Sequence, residues 1–210
     1  TISYGKEIAL RDISLTIPEQ TIFGIIGPAN AGKTTFLKSI NRTLEFEPTS
    51  KTVGTILIHG TDISRIKNVY SLRRRIGMVF PLPVGLPLSV YENVAYAPRR
   101  AGIHDRQELD ELIERCLKQS MLWDEVKDRL NLLGTKLSGG QQQRVAIARA
   151  MASGPDLILA DEPTANVDST TGAALIDMMR QLNEKQGMTF LFSTHDHMIM
   201  ERARRLIMLK

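Results

Sequence analysis

Cysteine is almost absent: Cys116 is the single one in 210 residues. No internal disulfide framework is possible, and this usage fits a reducing cytosol. Long hydrophobic runs are missing too. No stretch approaches the ~20 consecutive apolar residues that a bilayer span requires, so a role at a membrane has to run through a partner. Charge of one sign is not in excess: 27 Lys and Arg face 23 Asp and Glu, and the net charge of +4 is too mild to imply nucleic-acid binding. Neither internal repeats nor low-complexity segments occur. What is present is a globular composition, 42% hydrophobic and 24% charged, which excludes disorder as the dominant state. The length suits one large domain or a domain carrying an inserted lobe. The chain begins without Met and stops directly after an apolar run, so both ends are expected to be trimmed.

Along the chain, strand and helix patterns alternate with one interruption. Residues 9–17 alternate apolar and polar through Leu10, Ile13, Leu15 and Ile17, and Pro18-Glu19-Gln20 reads as a turn into the apolar run from Ile22 to Ile26. A hairpin entering a buried strand is expected there. Further short strands are expected over residues 55–58, 76–80, 157–160, 189–193 and 206–209, most of them apolar enough to be buried parallel strands. Between Ser89 and Met151 the spacing is helical, with Leu109, Leu112, Ile113 and Leu117 in one run and Val145, Ile147, Ala148 and Met151 in another. This predicts a helical lobe inserted into an α/β core.

Three segments carry chemistry. Gly27-Pro28-Ala29-Asn30-Ala31-Gly32-Lys33-Thr34, followed by Thr35, lies between a predicted buried strand and a helix, the setting of a phosphate-binding loop. Backbone N–H groups converge on phosphate oxygens at such a helix N-terminus, where the dipole also favours an anion. Lys33 would reach the β- and γ-phosphates of a nucleotide and Thr34 would ligate Mg²⁺. A second segment, Leu157 to Ala160, ends in Asp161 and Glu162. At the carboxyl end of a parallel strand these acids would face the phosphate loop, Asp161 holding the metal and Glu162 polarising the attacking water. The third, Leu137-Ser138-Gly139-Gly140-Gln141, opens another helix. Its hydroxyl and glycines could hold a second phosphate, and one fold rarely needs two cradles for one nucleotide. The economical explanation is that this one closes over ATP held by another copy or a homologous partner. A plain Ser138 helix cap is the alternative.

These segments, together with Asp168 after Ala165-Asn166-Val167 and His195 after Ser193-Thr194, fall in the order found in the ABC ATPases, which the chain resembles over essentially its whole length. The resemblance implies an α/β fold: a P-loop NTPase core with a mostly parallel sheet, an N-terminal antiparallel β part and an inserted α-helical subdomain. It divides a single domain, residues 1–210, into a RecA-like core (1–85 and 152–210) and a helical signature subdomain (86–151). It implies that Ser138 and Gly140, within the 138–141 signature, contact the γ-phosphate bound by the opposite subunit. Asp168 would bridge subunits, and His195 would hydrogen-bond the γ-phosphate. Glu162, His195 and Lys33 become the candidate catalytic residues, with ATP and Mg²⁺ as cofactors. Tyr4 matches the aromatic on which adenine stacks, although a surface aromatic reads the same way.

One family position differs. After the strand ending in Val79-Phe80 the family usually carries a Gln that touches the metal and the reacting water, whereas this chain has Pro81, which offers no side-chain donor or acceptor. MgATP binding is expected to persist while turnover depends more on a partner. Residues 36–42, 72–80, 89–96 and 122–130 resemble the phosphate-import branch, and residues 160–168 look more like lipoprotein-release or macrolide-export ATPases. The expected partners are a second ATPase subunit, two membrane-spanning permease subunits and an external solute-binding protein, at the cytoplasmic face of the membrane. Residues 86–96, with Leu88 and Tyr91, read equally as a seat for the permease and as ordinary core. Arg73, Arg74 and Arg75 are expected on a solvated or intersubunit surface.

Overall fold

The computed structural model describes residues 1–82, 86–165, 167–194, 200, 203 and 205–209. Its centre is a five-stranded parallel sheet in the spatial order β10-β3-β9-β8-β7, formed by β3 (Ile22–Ile26), β7 (Ile76–Val79), β8 (Leu157–Asp161), β9 (Thr189–Ser193) and β10 (Arg205–Met208). Every residue of β9 is buried, as expected of a parallel strand covered on both faces. Phe190 and Phe192 lie on the same face two residues apart, and their rings stack at 5.7 Å. Such a pair contributes roughly 0.5–1.5 kcal/mol beyond its burial.

Two apolar clusters sandwich this sheet. One gathers Phe23, Ile25, Leu159 and Leu191 with Leu37 and Ile40 of α1 (Lys33–Ile40) and Leu72 of α2 (Val69–Arg75). The other joins Ile158, Phe190 and Phe192 to α3 (Val90–Arg100), α4 (Arg106–Gln119), α6 (Gly139–Met151) and α7 (Ser169–Gln186). The short α5 (Trp123–Val126) precedes the signature. Among the described residues, the α-helices α3 to α6 intervene between β7 and β8. Their apolar stripes at helical spacing pack against one another and against the sheet.

An antiparallel sheet in the order β2-β1-β4 is built from β1 (Ile2–Tyr4), β2 (Glu7–Leu10) and β4 (Ser50–Thr52). A two-stranded ribbon pairs β5 (Leu57–Ile58) with β6 (Thr61–Asp62). The expected hairpin arm over residues 9–17 is a correction: β2 stops at Leu10 and no strand is assigned from Arg11 to Ile17. Ile13, Leu15 and Ile17 still pack against the core in alternation with exposed neighbours. Burial has the period of a strand, but Asp12 adopts a positive φ of 48°, which breaks the ladder at that point. The expected strand over 55–58 likewise shrinks to Leu57–Ile58.

Candidate nucleotide site

The carboxyl ends of three neighbouring strands, β3, β9 and β8, meet at one end of the parallel sheet. Because β9 lies between β3 and β8, the loop after β3 and the acid ending β8 face each other across Ser193. Thr34 Oγ1 donates to Asp161 Oδ2 at 2.7 Å, and Ser193 Oγ donates to Asp161 Oδ1. Asp161 is only 2% exposed, and each carboxylate oxygen has a hydroxyl partner, as a buried charge requires.

Lys33 is also buried, at 7% exposure. Its ammonium donates to the carbonyls of Gly27 at 2.9 Å and Pro28 at 3.0 Å, and stands 3.7 Å from Glu162 Oε1. Pro28, Ala29 and Asn30 are exposed, and Asn30 has a φ of 65°. Gly32 caps α1 with a φ of 85° and no side-chain cap; a Cβ there would lie 2.6 Å from Leu10 Cδ2 and 2.8 Å from the Ala9 carbonyl. Only glycine combines that dihedral with that approach. Tyr4 lies within hydrogen-bond distance of Thr35, with its hydroxyl 3.1 Å from Thr35 Oγ1, so β1 borders the start of α1.

Glu162 has a φ of 45°, a left-handed conformation that a non-glycine residue keeps only where its surroundings enforce it. Its N–H donates to the Ser193 carbonyl at 2.9 Å, and its carbonyl accepts from Ala165 at 3.1 Å.

The Ser138 to Gln141 segment is built differently. Ser138 Oγ accepts from the Gln141 N–H at 3.3 Å, and the Ser138 N–H donates to Gln141 Oε1 at 3.0 Å. This is a reciprocal capping box. Gln141 Nε2 then donates to Glu125 Oε2 at 2.7 Å, and Arg144 pairs with Glu125 at 2.8 Å. The hydrogen bond from Gln141, the largest effect, joined by the Arg144 guanidinium, holds the Glu125 carboxyl below the usual carboxylate range against the opposing effect of burial. Both ends of the Gln141 amide are thus engaged within the chain. Gly140 approaches α7 so closely that a Cβ would lie 2.8 Å from Thr171 Cγ2.

Asp168 caps α7, accepting from the Thr171 hydroxyl at 2.6 Å and the Thr171 N–H at 2.9 Å. Those bonds, the hydroxyl's first, lower its pKa.

The structure thus brings together Tyr4, the 27–35 loop, Asp161 and Glu162, and places residues 138–141 at the start of α6, where Ser138 and Gln141 bond to each other and Gln141 bonds to Glu125 of α5. His195 lies outside the described residues. Sequence reasoning missed Ser193, whose signal is a hydroxyl directly after the apolar run Phe190-Leu191-Phe192. It also missed Glu125, which gave no local signal because its partners are 16 and 19 residues away. Of the arginine triplet, Arg74 and Arg75 are exposed as expected, Arg75 pairing with Asp156 at 2.7 Å; the correction concerns Arg73, which is half-buried and donates to the carbonyls of Asn41 and Arg42. Tyr91 is engaged as well, its hydroxyl donating to Asp110 at 2.6 Å. A cleft of about 450 Å³ lies elsewhere, between α4 and the ends of α6 and α7, with Glu108, Arg115 and Gln186 in its lining.

A family profile described as ABC transporter matches residues 10–165. The chain belongs to the ABC transporter family. As an ABC ATPase it has the P-loop NTPase fold. It is 44% identical over 204 residues to the phosphate import ATP-binding protein PstB 3 of Streptococcus pneumoniae serotype 4, covering 97% of this chain and 80% of that protein. It is 44% identical to the phosphate import ATP-binding protein PstB of Oceanobacillus iheyensis, covering 97% and 72%. Among solved structures, a dimeric ATP-binding cassette in a post-hydrolysis state bound to ADP and Pi superposes with a TM-score of 0.85 at 34% identity, covering 99% of this chain and 90% of that one. No helix among the described residues is long and apolar enough to cross a membrane.

Proposed function

We propose that this ABC ATPase binds and hydrolyses ATP with Mg²⁺ to drive inorganic phosphate import. The observation that carries the ATPase reading is the convergence of Lys33, Thr34, Asp161 and Glu162 at the ends of β3 and β8. The 44% identity to phosphate import ATP-binding proteins supports the solute. The same likeness extends to the partners: two permease subunits, an external solute-binding protein and a peripheral position at the cytoplasmic face of the membrane. Within this reading residues 86–151 form the helical signature subdomain and residues 1–85 with 152–210 the RecA-like core.

The residues present fit the cofactors. Gly32 provides no side-chain cap to α1, leaving the N–H groups at the start of that helix for an anion. Thr34 and Asp161 offer hard oxygen donors 2.7 Å apart, and Mg²⁺ uses one or two such protein ligands beside phosphate and water. Bound there, Mg²⁺ would neutralise charge on the phosphates.

Lys33 exchanges two neutral carbonyl acceptors for phosphate oxygens, a stronger charge-assisted contact. That exchange draws the ammonium away from Glu162, leaving the carboxylate to accept a proton from the attacking water. Ser193 keeps Asp161 oriented from behind. Tyr4 offers a ring beside Thr35 for adenine. Ser138 and Gly140 act on a second copy's nucleotide, Gln141 holds their cap in place, and Asp168 faces the partner subunit while capping α7. His195 completes the γ-phosphate contacts in this reading.

Two measurements test the proposal. Purified chain should hydrolyse ATP with Mg²⁺ and stop when the metal is chelated; hydrolysis indifferent to chelation would contradict the metal assignment. A bacterium deprived of its phosphate-import ATPase should regain growth on limiting phosphate when given this chain. Failure despite measured ATPase activity in the same cells would point to another solute, such as those of the export branch that residues 160–168 resemble.

A further inference from the structure

Gln143 is 1% exposed and lies on α6 two residues beyond the signature. Its Nε2 donates to the Pro163 carbonyl at 3.0 Å and, at a longer 3.4 Å, to the Phe80 carbonyl. Two carbonyl acceptors fix the orientation of the amide. The same orientation leaves Oε1 buried without a hydrogen-bond partner among the described residues. An unmatched buried acceptor is unfavourable; a Met or Leu of similar size would remove it, but would leave the Pro163 carbonyl without this donor. The acceptor end therefore does not explain this amide.

Its two contacts do. Pro163 follows Glu162, whose φ of 45° persists only if neighbours enforce it. Phe80 ends the stretch after β7 and precedes Pro81. On the same helix Arg149 donates to Asn93 at 3.3 Å, and Asn93 bonds both the N–H and the carbonyl of Leu86. The signature helix thus holds the carbonyl before Pro81, and holds Leu86 through Asn93.

We propose that Gln143 is a positioning residue for the water-activating carboxylate: its amide holds the Pro163 and Phe80 carbonyls, keeping Glu162 in its left-handed turn and tying that turn to the signature helix. The inference rests on Glu162 acting on water, as proposed above. A movement of α6 on meeting a partner would then reach Glu162 through one side chain.

The test uses Gln143→Met, which keeps the length and removes the donor, Gln143→Glu, which is isosteric, and Glu162→Gln in parallel. We expect Gln143→Met to lower kcat about 10- to 100-fold, in line with the cost of small misplacements in active sites. Its MgATP Kd should stay within about twofold and its thermal midpoint within a few degrees. Burial raises a carboxyl's pKa, so the carboxyl introduced by Gln143→Glu would be neutral at low pH and could again donate to a carbonyl. Relative to the natural chain, the kcat of that variant should therefore rise as pH falls from about 9 to about 6. A purely packing role predicts no such rise. Should the Met variant fail to fold, the pH profile of the Glu variant carries the test. Unchanged kcat in Gln143→Met, a loss matched by an equal loss of MgATP binding, or a Gln143→Glu profile parallel to that of the natural chain would overturn the inference. If Glu162→Gln retained the natural rate, the reading of Glu162 itself would fail, whichever way Gln143 behaved.

Discussion

Two glycine-containing helix starts in this chain resemble each other on paper and differ in space. The start of α1 has no side-chain cap at Gly32, and its lysine and threonine turn toward the acids of β8. The start of α6 is closed on itself: Ser138 and Gln141 satisfy each other's backbone N–H groups, and Glu125 anchors the pair. The first leaves its N-terminal N–H groups without a side-chain cap, as an anion cradle would. The second is already stable, so its hydroxyl and glycines offer an anion less by themselves. A difference of this kind suits a site shared between two chains, in which one start grips the nucleotide and the other only completes it.

The largest expected effect lies on the α1 side. Glu162→Gln should lower the hydrolysis rate by about 10² to 10⁴, the range associated with a positioned general base, while a binding assay shows MgATP affinity retained. Affinity lost together with rate would make Glu162 a binding residue. Next comes Lys33→Ala. It removes a charged donor and should weaken MgATP binding about 10- to 100-fold, as expected from a charged hydrogen bond of roughly 1.5–3 kcal/mol. Calorimetric titration reads this directly.

Variants of the α6 start sharpen the contrast. Ser138→Ala should cost about 1 kcal/mol of stability through the lost cap, visible in denaturant unfolding. Ser138→Asp keeps a good cap, so stability should be preserved, yet its carboxylate would repel a partner's phosphate and abolish ATP-dependent pairing. If Ser138→Asp paired normally, the segment would be a cap and nothing more.

A smaller effect concerns pH. The depressed pKa of Glu125 means that its contribution is present at neutral pH and is lost as pH falls through that lowered value. Glu125 is partly exposed, so the stability difference between the natural chain and Glu125→Gln should be well under 1 kcal/mol and should narrow on acidification. The smallest expected signal is chemical. Burial pushes the Cys116 thiol up to about 11, so native protein should react slowly with maleimide and unfolded protein quickly.

Much of the site was legible because its chemistry sits in contiguous residues. Lys33-Thr34 and Asp161-Glu162 each follow an apolar strand, and parallel strands place such ends together. The expected strand over 189–193 is the observed β9, since five consecutive buried residues leave a continuous signal. The 13–17 segment shows the limit. Alternation records which side chains are buried, whereas a strand also needs a backbone partner, and that depends on residues far away. Glu125 and Ser193 were missed for the same reason, since each acts on a residue brought near only by the fold. For Gly140 the sequence gave no sign that Thr171 of α7 would lie so close that a Cβ would clash.

The central claim is that the nucleotide site is completed by a second chain. The most direct measurement is the mass of the Glu162→Gln variant by analytical ultracentrifugation, with and without saturating MgATP. The account predicts a 23.5 kDa monomer that becomes a dimer on addition of MgATP and returns to monomer when the nucleotide is removed. A variant that binds MgATP and stays monomeric at every accessible concentration would contradict it.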